Sequence, residues 1–325
     1  MGCNQTNVHC VMKKKVEKGQ GPEKSEGKSE PFYNVVYSKM GNTIKESFPT
    51  LEKAIEDYEE KARLDKLGYF DDRFVIGVED HKGVTIDIAD YKLKSLKSLA
   101  VLTARGGSKR IHKKNIKAFC GKPIIAYSIE AALGSGLFQE VIVSTDCKEI
   151  AGISREYGAN VPFFRSDKTA NDHAGLSEVI EEVKAGYRNS KAYFDTLCCI
   201  LPTAPFISTH SLKKGAQLLI EKNADVTLPI VRFSSPVQRA YKSRDGKLDM
   251  FYPQFYKSRS QDLEPAYHDS GMFYWMKFDK QLESANKFGF EIPQLQAQDI
   301  DTMEDWELAE LKYCLMQSKN GTASA

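Results

Sequence analysis

Residues 99–119 read LAVLTARGGSKRIHKKNIKAF, and the change of character within this stretch decides the fold. A short apolar run, Leu99 to Leu102, gives way to Gly106 and Gly107 set among Arg105, Lys109, Arg110, Lys113 and Lys114. An apolar run bounded by a glycine turn suits a buried strand. Beyond it, backbone N–H groups and cationic side chains would face a polyanion. Gly106 and Gly107 are expected to supply positive φ and close backbone approach, which a larger residue would hinder. The sequence lacks the GxxxxGK[ST] and GxGxxG phosphate motifs. Taken alone, a basic Gly-Gly-Ser turn is more often solvated surface. Position tilts the reading toward a triphosphate site, because the cations follow a strand that opens an alternating strand–helix pattern. Ligands of open α/β sheets sit at the carboxyl ends of strands.

From Ser98 onward, strands are predicted at 98–103, 140–145, 160–164, 195–201 and 225–231. Helices are predicted at 123–134, 147–157, 175–188 and 209–221. Pro123 suits a first helical turn, where its missing N–H costs nothing. This alternation predicts an α/β fold with a mostly parallel sheet. After 231 the pattern loosens. Asp245-Gly246 marks a hairpin between 239–243 and 247–252, a strand follows at 271–278, and a last helix starts at Met303 behind a Thr302/Asp305 capping box.

Upstream, residues 1–31 are rich in Lys, Glu, Gly and Ser, a composition that predicts disorder. Residues 32–94 predict a small α+β module of ββαββ order. Its strands are 32–37, 43–48, 73–78 and 84–88, and Thr50 caps its helix at 51–64. No catalytic constellation is visible in it.

The 325 residues carry a net charge of +2 and 41% apolar content, enough for an ordinary core and too balanced for a nucleic-acid binder. No apolar run approaches a membrane span and no signal-peptide pattern opens the chain. The seven cysteines, without CxxC spacing, read as reduced thiols of a cytoplasmic protein. Met1 to Thr6 fits a myristoylation pattern, of a kind that also arises by chance.

A second informative segment is Gln298-Asp299-Ile300-Asp301-Thr302. Carboxylates at i and i+2 of an extended segment share a face, with Ile300 turned inward. Such a pair suits Mg²⁺, which takes one or two carboxylates plus substrate phosphates; an acidic pre-helix turn is the alternative. Arg259 and Gln261 precede His268-Asp269-Ser270-Gly271 in a loop before an apolar strand, and Arg259 is placed to grip a carboxylate. His268 beside Asp269 reads more readily as a hydrogen-bond pair than as a base. Arg165, Asp172 and the turn Pro202-Thr203-Ala204-Pro205 fall at the expected ligand edge.

These segments together resemble the sugar-acid cytidylyltransferases, the CMP-sialic acid synthetase family. The likeness runs in order from TARGGSKRIHKKNI through CGKPIIAYSIEAAL, VIVSTD, PFFRSDKTANDH, LPTAPF and RSQDLEPAYHDSG to QDIDTMEDWELAEL. It implies a Rossmann-like nucleotidyltransferase fold over 98–318, acting as a homodimer on CTP and a nine-carbon nonulosonic acid. It also implies roles for individual residues. Ala104, Arg105, Gly106, Gly107, Ser108, Lys114, Asn115 and Arg165 would contact the nucleotide. Arg105, Lys109, Lys114 and Asp301 would serve catalysis, and Asp299 and Asp301 would hold Mg²⁺. Leu201, Arg259 and Gln261 would face the sugar acid. Leu201 stands where family members carry glutamine, and His268 to Gly271 where they show Asn-Gly. Both departures favour pseudaminic acid over N-acetylneuraminic acid, with legionaminic acid as a further alternative.

Overall fold

A computed structural model of the protein describes residues 32–39, 42–66, 73–171 and 173–322. The chain divides into two compact units between Ile86 and Asp87. The N-terminal unit contains β1 (Tyr33–Lys39), β2 (Asn42–Phe48), α1 (Leu51–Lys66) and β3 (Arg73–Asp80). Its antiparallel sheet has the order β2-β1-β3. Thr50 Oγ1 accepts from the Lys53 N–H at the start of α1, and Ala54 and Ile55 bury that helix. The expected fourth strand is reduced to a single bridge between Thr85 and Glu79. At Ile88 the chain instead enters α2 (Ile88–Ser95), because Asp87 accepts the Asp90 N–H at 2.9 Å and caps a helix. The first compact unit runs to Ile86, and α2 belongs to the second. The predicted disorder of 1–31 and the lipidation-like pattern lie outside the described residues.

The second unit continues with β4 (Ser98–Thr103), β5 (Ala118–Phe119), β6 (Lys122–Pro123), α3 (Ile124–Ser135), β7 (Glu140–Ser144) and α4 (Lys148–Glu156). Then come α5 (Asp167–Ala170), α6 (Leu176–Asn189), β8 (Thr196–Ile200), α7 (Thr209–Glu221) and β9 (Val226–Arg232). A hairpin of β10 (Tyr241–Arg244) and β11 (Lys247–Met250) precedes β12 (Tyr267–Asp269), β13 (Phe273–Lys277), β14 (Lys287–Glu291) and α8 (Met303–Thr322).

The main sheet has seven strands in the order β12-β9-β13-β8-β4-β7, with β14 also on β9. β4 runs parallel to β7 and β8, and β14 parallel to β9. β13 is antiparallel to both β8 and β9, so β9 shares the direction of β8. Only β12 and β13 run against the other strands, which bears out the mostly parallel α/β expectation. Alternation along β4 feeds two cores. Ala100 and Leu102 pack with Ile125 and Ile129 of α3, whereas Leu99 and Val101 pack with Ile180 and Val183 of α6. Each such buried Leu, Ile or Val contributes about 1.5–3 kcal/mol.

Some local expectations fail for visible reasons. The strand at 160–164 is only a bridge from Asn160 to Ile142, since Pro162 brings no N–H to a ladder. Pro123 stands before α3, as its N-cap, and not inside the first turn. The strands β12 and β14 arise in segments without a clean period. Asp245 and Gly246 both take positive φ, 51° and 80°, as the predicted hairpin requires. Among the described residues no helix is long and apolar enough to cross a membrane.

Candidate active site

The basic loop leaves the carboxyl end of β4 and is fixed by backbone contacts. Ala104 N–H donates to the Ser144 carbonyl at 3.0 Å, and Gly106 N–H to Asp146 Oδ1 at 2.8 Å. The Asn115 amide donates to the Arg105 carbonyl at 2.8 Å, drawing the far end of the loop back to its start. Neither Gly106 nor Gly107 has positive φ, contrary to expectation; in this loop Lys113 does, at 50°. Gly106 serves close approach, since a Cβ there would lie 3.0 Å from Cys147 Cβ. A Cβ on Gly107 would meet nothing within 4 Å, so its backbone borders open space.

Facing this loop is the segment that precedes α8. Ile300 is fully buried, which turns Asp299 and Asp301 together toward a cleft of about 320 Å³. Lys114 Nζ donates to the Ile300 carbonyl at 2.6 Å and lies 3.6 Å from Asp301. The Arg110 guanidinium reaches the same carboxylate at 2.7 Å. Partial burial, and then the charge of Asp301, push the Asp299 carboxyl above its usual value, with Lys114 opposing. Asp299 remains open to the cleft beside Asp301. Gly271, at φ 66°, lets the chain pass Asp299; a Cβ there would sit 3.5 Å from the Asp299 carboxyl carbon.

The floor is formed by Arg165, Leu201, Pro202 and Thr203. Arg165 is 7% exposed and donates to Ser144 Oγ at 3.2 Å and to the Ser144 carbonyl at 2.7 Å. Burial lowers its pKa, while Asp146 and Glu182 counter by favouring the charge. Glu182 accepts the Ser166 N–H at 2.9 Å and also bonds Thr169, so the turn after Arg165 is held by the same carboxylate. Leu201 is anchored through its backbone, donating to the Met272 carbonyl at 2.9 Å and accepting from Ser128 Oγ at 3.0 Å.

Thus Arg105, Ser108, Lys109, Lys114, Asn115, Arg165, Leu201, Asp299 and Asp301 border one cleft. The structure does not bring Arg259 and Gln261 there. Arg259 forks onto Asp262 at 2.7 and 3.1 Å, and Gln261 lines a separate cleft of about 520 Å³ with Arg232 and Glu264. His268 is exposed, with Nδ1 2.8 Å from the Asp269 carbonyl and its ring 4.8 Å from Phe233, a structural arrangement as anticipated. Asp172 lies outside the described residues.

Sequence reasoning missed Asp146, which orders the loop, and the Asp269–Tyr274 bond of 2.5 Å beside Gly271. The signal for Asp146 was its place just past the end of a parallel strand, where ligand-site residues gather. Arg110 stood out as a cation, but its pairing with Asp301 needed the fold. Among the described residues no three or more His, Cys, Asp or Glu side chains cluster as a metal site.

The sequence profile of the cytidylyltransferases matches residues 99–305, which hold both walls of the cleft. The chain belongs to the cytidylyltransferase family. It is 38% identical over 225 residues to the pseudaminic acid cytidylyltransferase of Campylobacter jejuni subsp. jejuni serotype O:23/36 (strain 81-176), covering 67% of this chain and 97% of that protein. It is 30% identical to the CMP-N,N'-diacetyllegionaminic acid synthase of Legionella pneumophila subsp. pneumophila (strain Philadelphia 1), covering 66% of this chain and 95% of the relative. A solved CMP:2-keto-3-deoxy-manno-octonic acid synthetase in complex with CTP shares the fold, with a TM-score of 0.50 at 20% identity, over 68% of this chain and 99% of that one. The basic loop is therefore part of a cytidylyltransferase domain whose similarity to these relatives spans nearly their whole length.

Proposed function

We propose that this cytidylyltransferase transfers CMP from CTP to a nonulosonic acid, pseudaminic acid, giving the CMP-sugar and pyrophosphate. The observation that carries the reading is the junction of the two walls, in which Lys114 bonds the Ile300 carbonyl between two carboxylates that face a cationic loop. In the reaction the anomeric hydroxyl oxygen bonds to the α-phosphorus and the bond to the β-phosphate bridge breaks. Pyrophosphate and a proton are released. Arg105, Lys109 and Lys114 offset charge on the transferring and leaving phosphates, and positioning supplies most of the acceleration. Open space over Gly107 leaves room for a phosphate against the loop backbone.

Asp299 and Asp301 fit Mg²⁺. Both carboxylates border one cleft, and such a pair of hard oxygen donors would suit an ion that takes one or two carboxylates together with substrate phosphates. When bound there, the ion supplies positive charge to the phosphates. Arg110, which pairs with Asp301, would have to share that carboxylate with it.

Pseudaminic acid as acceptor draws support from the Campylobacter jejuni relative and from Leu201, whose side chain offers no amide to the cleft. A homodimer is part of the same reading. Tyr241, Leu248, Phe251 and Tyr256 around the β10–β11 hairpin are 50–64% exposed, an apolar surface suited to a second copy. Arg259 and Gln261, outside their own chain's cleft, follow that surface closely and would meet a sugar acid from there. Purified protein with CTP and Mg²⁺ should release pyrophosphate with pseudaminic acid and far less with N-acetylneuraminic or legionaminic acid. Release with N-acetylneuraminic acid alone would overturn the acceptor assignment.

A further inference from the structure

Cys120 occupies the turn between β5 and β6, and Cys314 lies on the exposed side of α8. Their neighbours in sequence pack tightly across this boundary. Phe119 meets Tyr313 edge to face at 5.6 Å, Tyr127 meets Tyr313 at 5.2 Å, and Tyr127 Oη donates to the Cys120 carbonyl at 3.3 Å. The Cys314 thiol and Glu310, one helical turn before it, both oppose ionisation of the Cys120 thiol. Cys120 has φ 43°, so the surrounding hairpin holds its backbone in a left-handed conformation that a residue with a Cβ seldom takes alone. The other described cysteines sit elsewhere: Cys147 at the start of α4, and Cys198 and Cys199 fully buried in β8.

We propose that Cys120 and Cys314 are an oxidisable dithiol, a modification site at which a low-molecular-weight disulfide joins the β5–β6 turn to α8. One protein thiolate attacks the small disulfide and displaces one small thiol. The second protein thiolate then attacks the protein sulfur of the mixed disulfide and displaces the other. Two protein thiols are oxidised and the small disulfide is reduced to two thiols. The bond would restrain the two walls of the cleft. Upstream of Cys120 the chain carries Lys114 and Asn115. Upstream of Cys314, the first turn of α8 holds the Asp301 N–H through Asp305 at 3.1 Å. Burial of the sulfur against α8, followed by the influence of Cys314 and Glu310, raises the Cys120 thiol to about 11, although the residue as a whole is exposed. Exchange is therefore slow at neutral pH and accelerates in alkali.

The test treats the reduced full chain with glutathione disulfide at pH 7 and pH 9, then quenches it with acid. The peptides that carry Cys120 and Cys314 should together lose two hydrogen atoms in mass, faster at pH 9, whatever glutathionyl groups the other five cysteines take up. A non-reducing peptide map should show Cys120 linked to Cys314. Cys120→Ser and Cys314→Ser should each lose the link, and the surviving thiol should gain one glutathionyl group. Mapping of the unaltered chain decides the matter even if a variant folds poorly. Both cysteines remaining as thiols at pH 9, stable glutathionyl adducts on Cys120 or Cys314 of the unaltered chain, or a link from either to another cysteine would overturn the proposal.

Discussion

Replacing Lys114 by methionine separates the strap seen in the structure from the phosphate contact proposed for it. The substitution keeps the aliphatic stem and removes the ammonium that bonds the Ile300 carbonyl at 2.6 Å and faces Asp301 at 3.6 Å. A hydrogen bond from a charged donor is worth about 1.5–3 kcal/mol, and the partly exposed ion pair adds roughly 0–1 kcal/mol. The variant should therefore be less stable by about 1.5–4 kcal/mol. For a unit of this size, with about 2–4 °C per kcal/mol, Tm falls by roughly 3–16 °C. Loss of one preorganised cation at the phosphates should lower kcat by about 10²–10³-fold. Thermal unfolding followed by circular dichroism reads the first effect, and pyrophosphate release well below the variant's Tm reads the second. Loss of stability with full kcat would refute the phosphate role, and unchanged Tm would refute the strap.

Asp299→Asn removes a carboxyl whose raised folded pKa means that ionisation costs stability in the folded state. The variant should be more stable than the parent at pH 7, by a margin that vanishes as pH falls and both forms become neutral, while turnover drops at least about 100-fold. Thr302→Val breaks the capping box, in which Asp305 accepts the Thr302 N–H at 2.8 Å and Thr302 Oγ1 accepts the Asp305 N–H at 3.2 Å, at a cost of about 1 kcal/mol. Because Thr302 holds the Asp305 carboxyl below its usual value, the stability gap between parent and variant should be full at neutral pH. It should narrow as pH falls through that lowered value, which a pH series of urea melts would record. Gly215→Ala brings a Cβ to 2.9 Å from Trp275 and 3.0 Å from Phe273, so it should destabilise by about 1–3 kcal/mol and leave CTP affinity unchanged in calorimetry.

What was legible in the sequence follows from periodicity. The buried runs of β4, β7 and β8, the amphipathic helices between them and the Thr302/Asp305 box declared themselves, because each is specified by neighbours a few residues away. The loop and the Asp299/Asp301 pair were legible as chemistry, and folding set them on facing walls of one cleft. Long-range pairings were not legible. Arg110 to Asp301, Gly106 to Asp146 and Lys114 to the Ile300 carbonyl join residues separated by 191, 40 and 186 positions, and no local pattern encodes such partners. Arg259 and Gln261 were drawn to the sugar acid by resemblance, and a single chain holds them outside the cleft. The helix at Ile88 prevailed over an apolar strand pattern because one aspartate cap redirected the chain.

The most direct measurement is the fate of the α-phosphorus. With CTP labelled at that position, Mg²⁺ and pseudaminic acid, the label should appear in a CMP-sugar in equal amount to the pyrophosphate released. Asp301→Ala should abolish both products while retaining a cooperative melt. Free CMP without a CMP-sugar, or an undiminished yield from Asp301→Ala, would contradict transfer at this cleft.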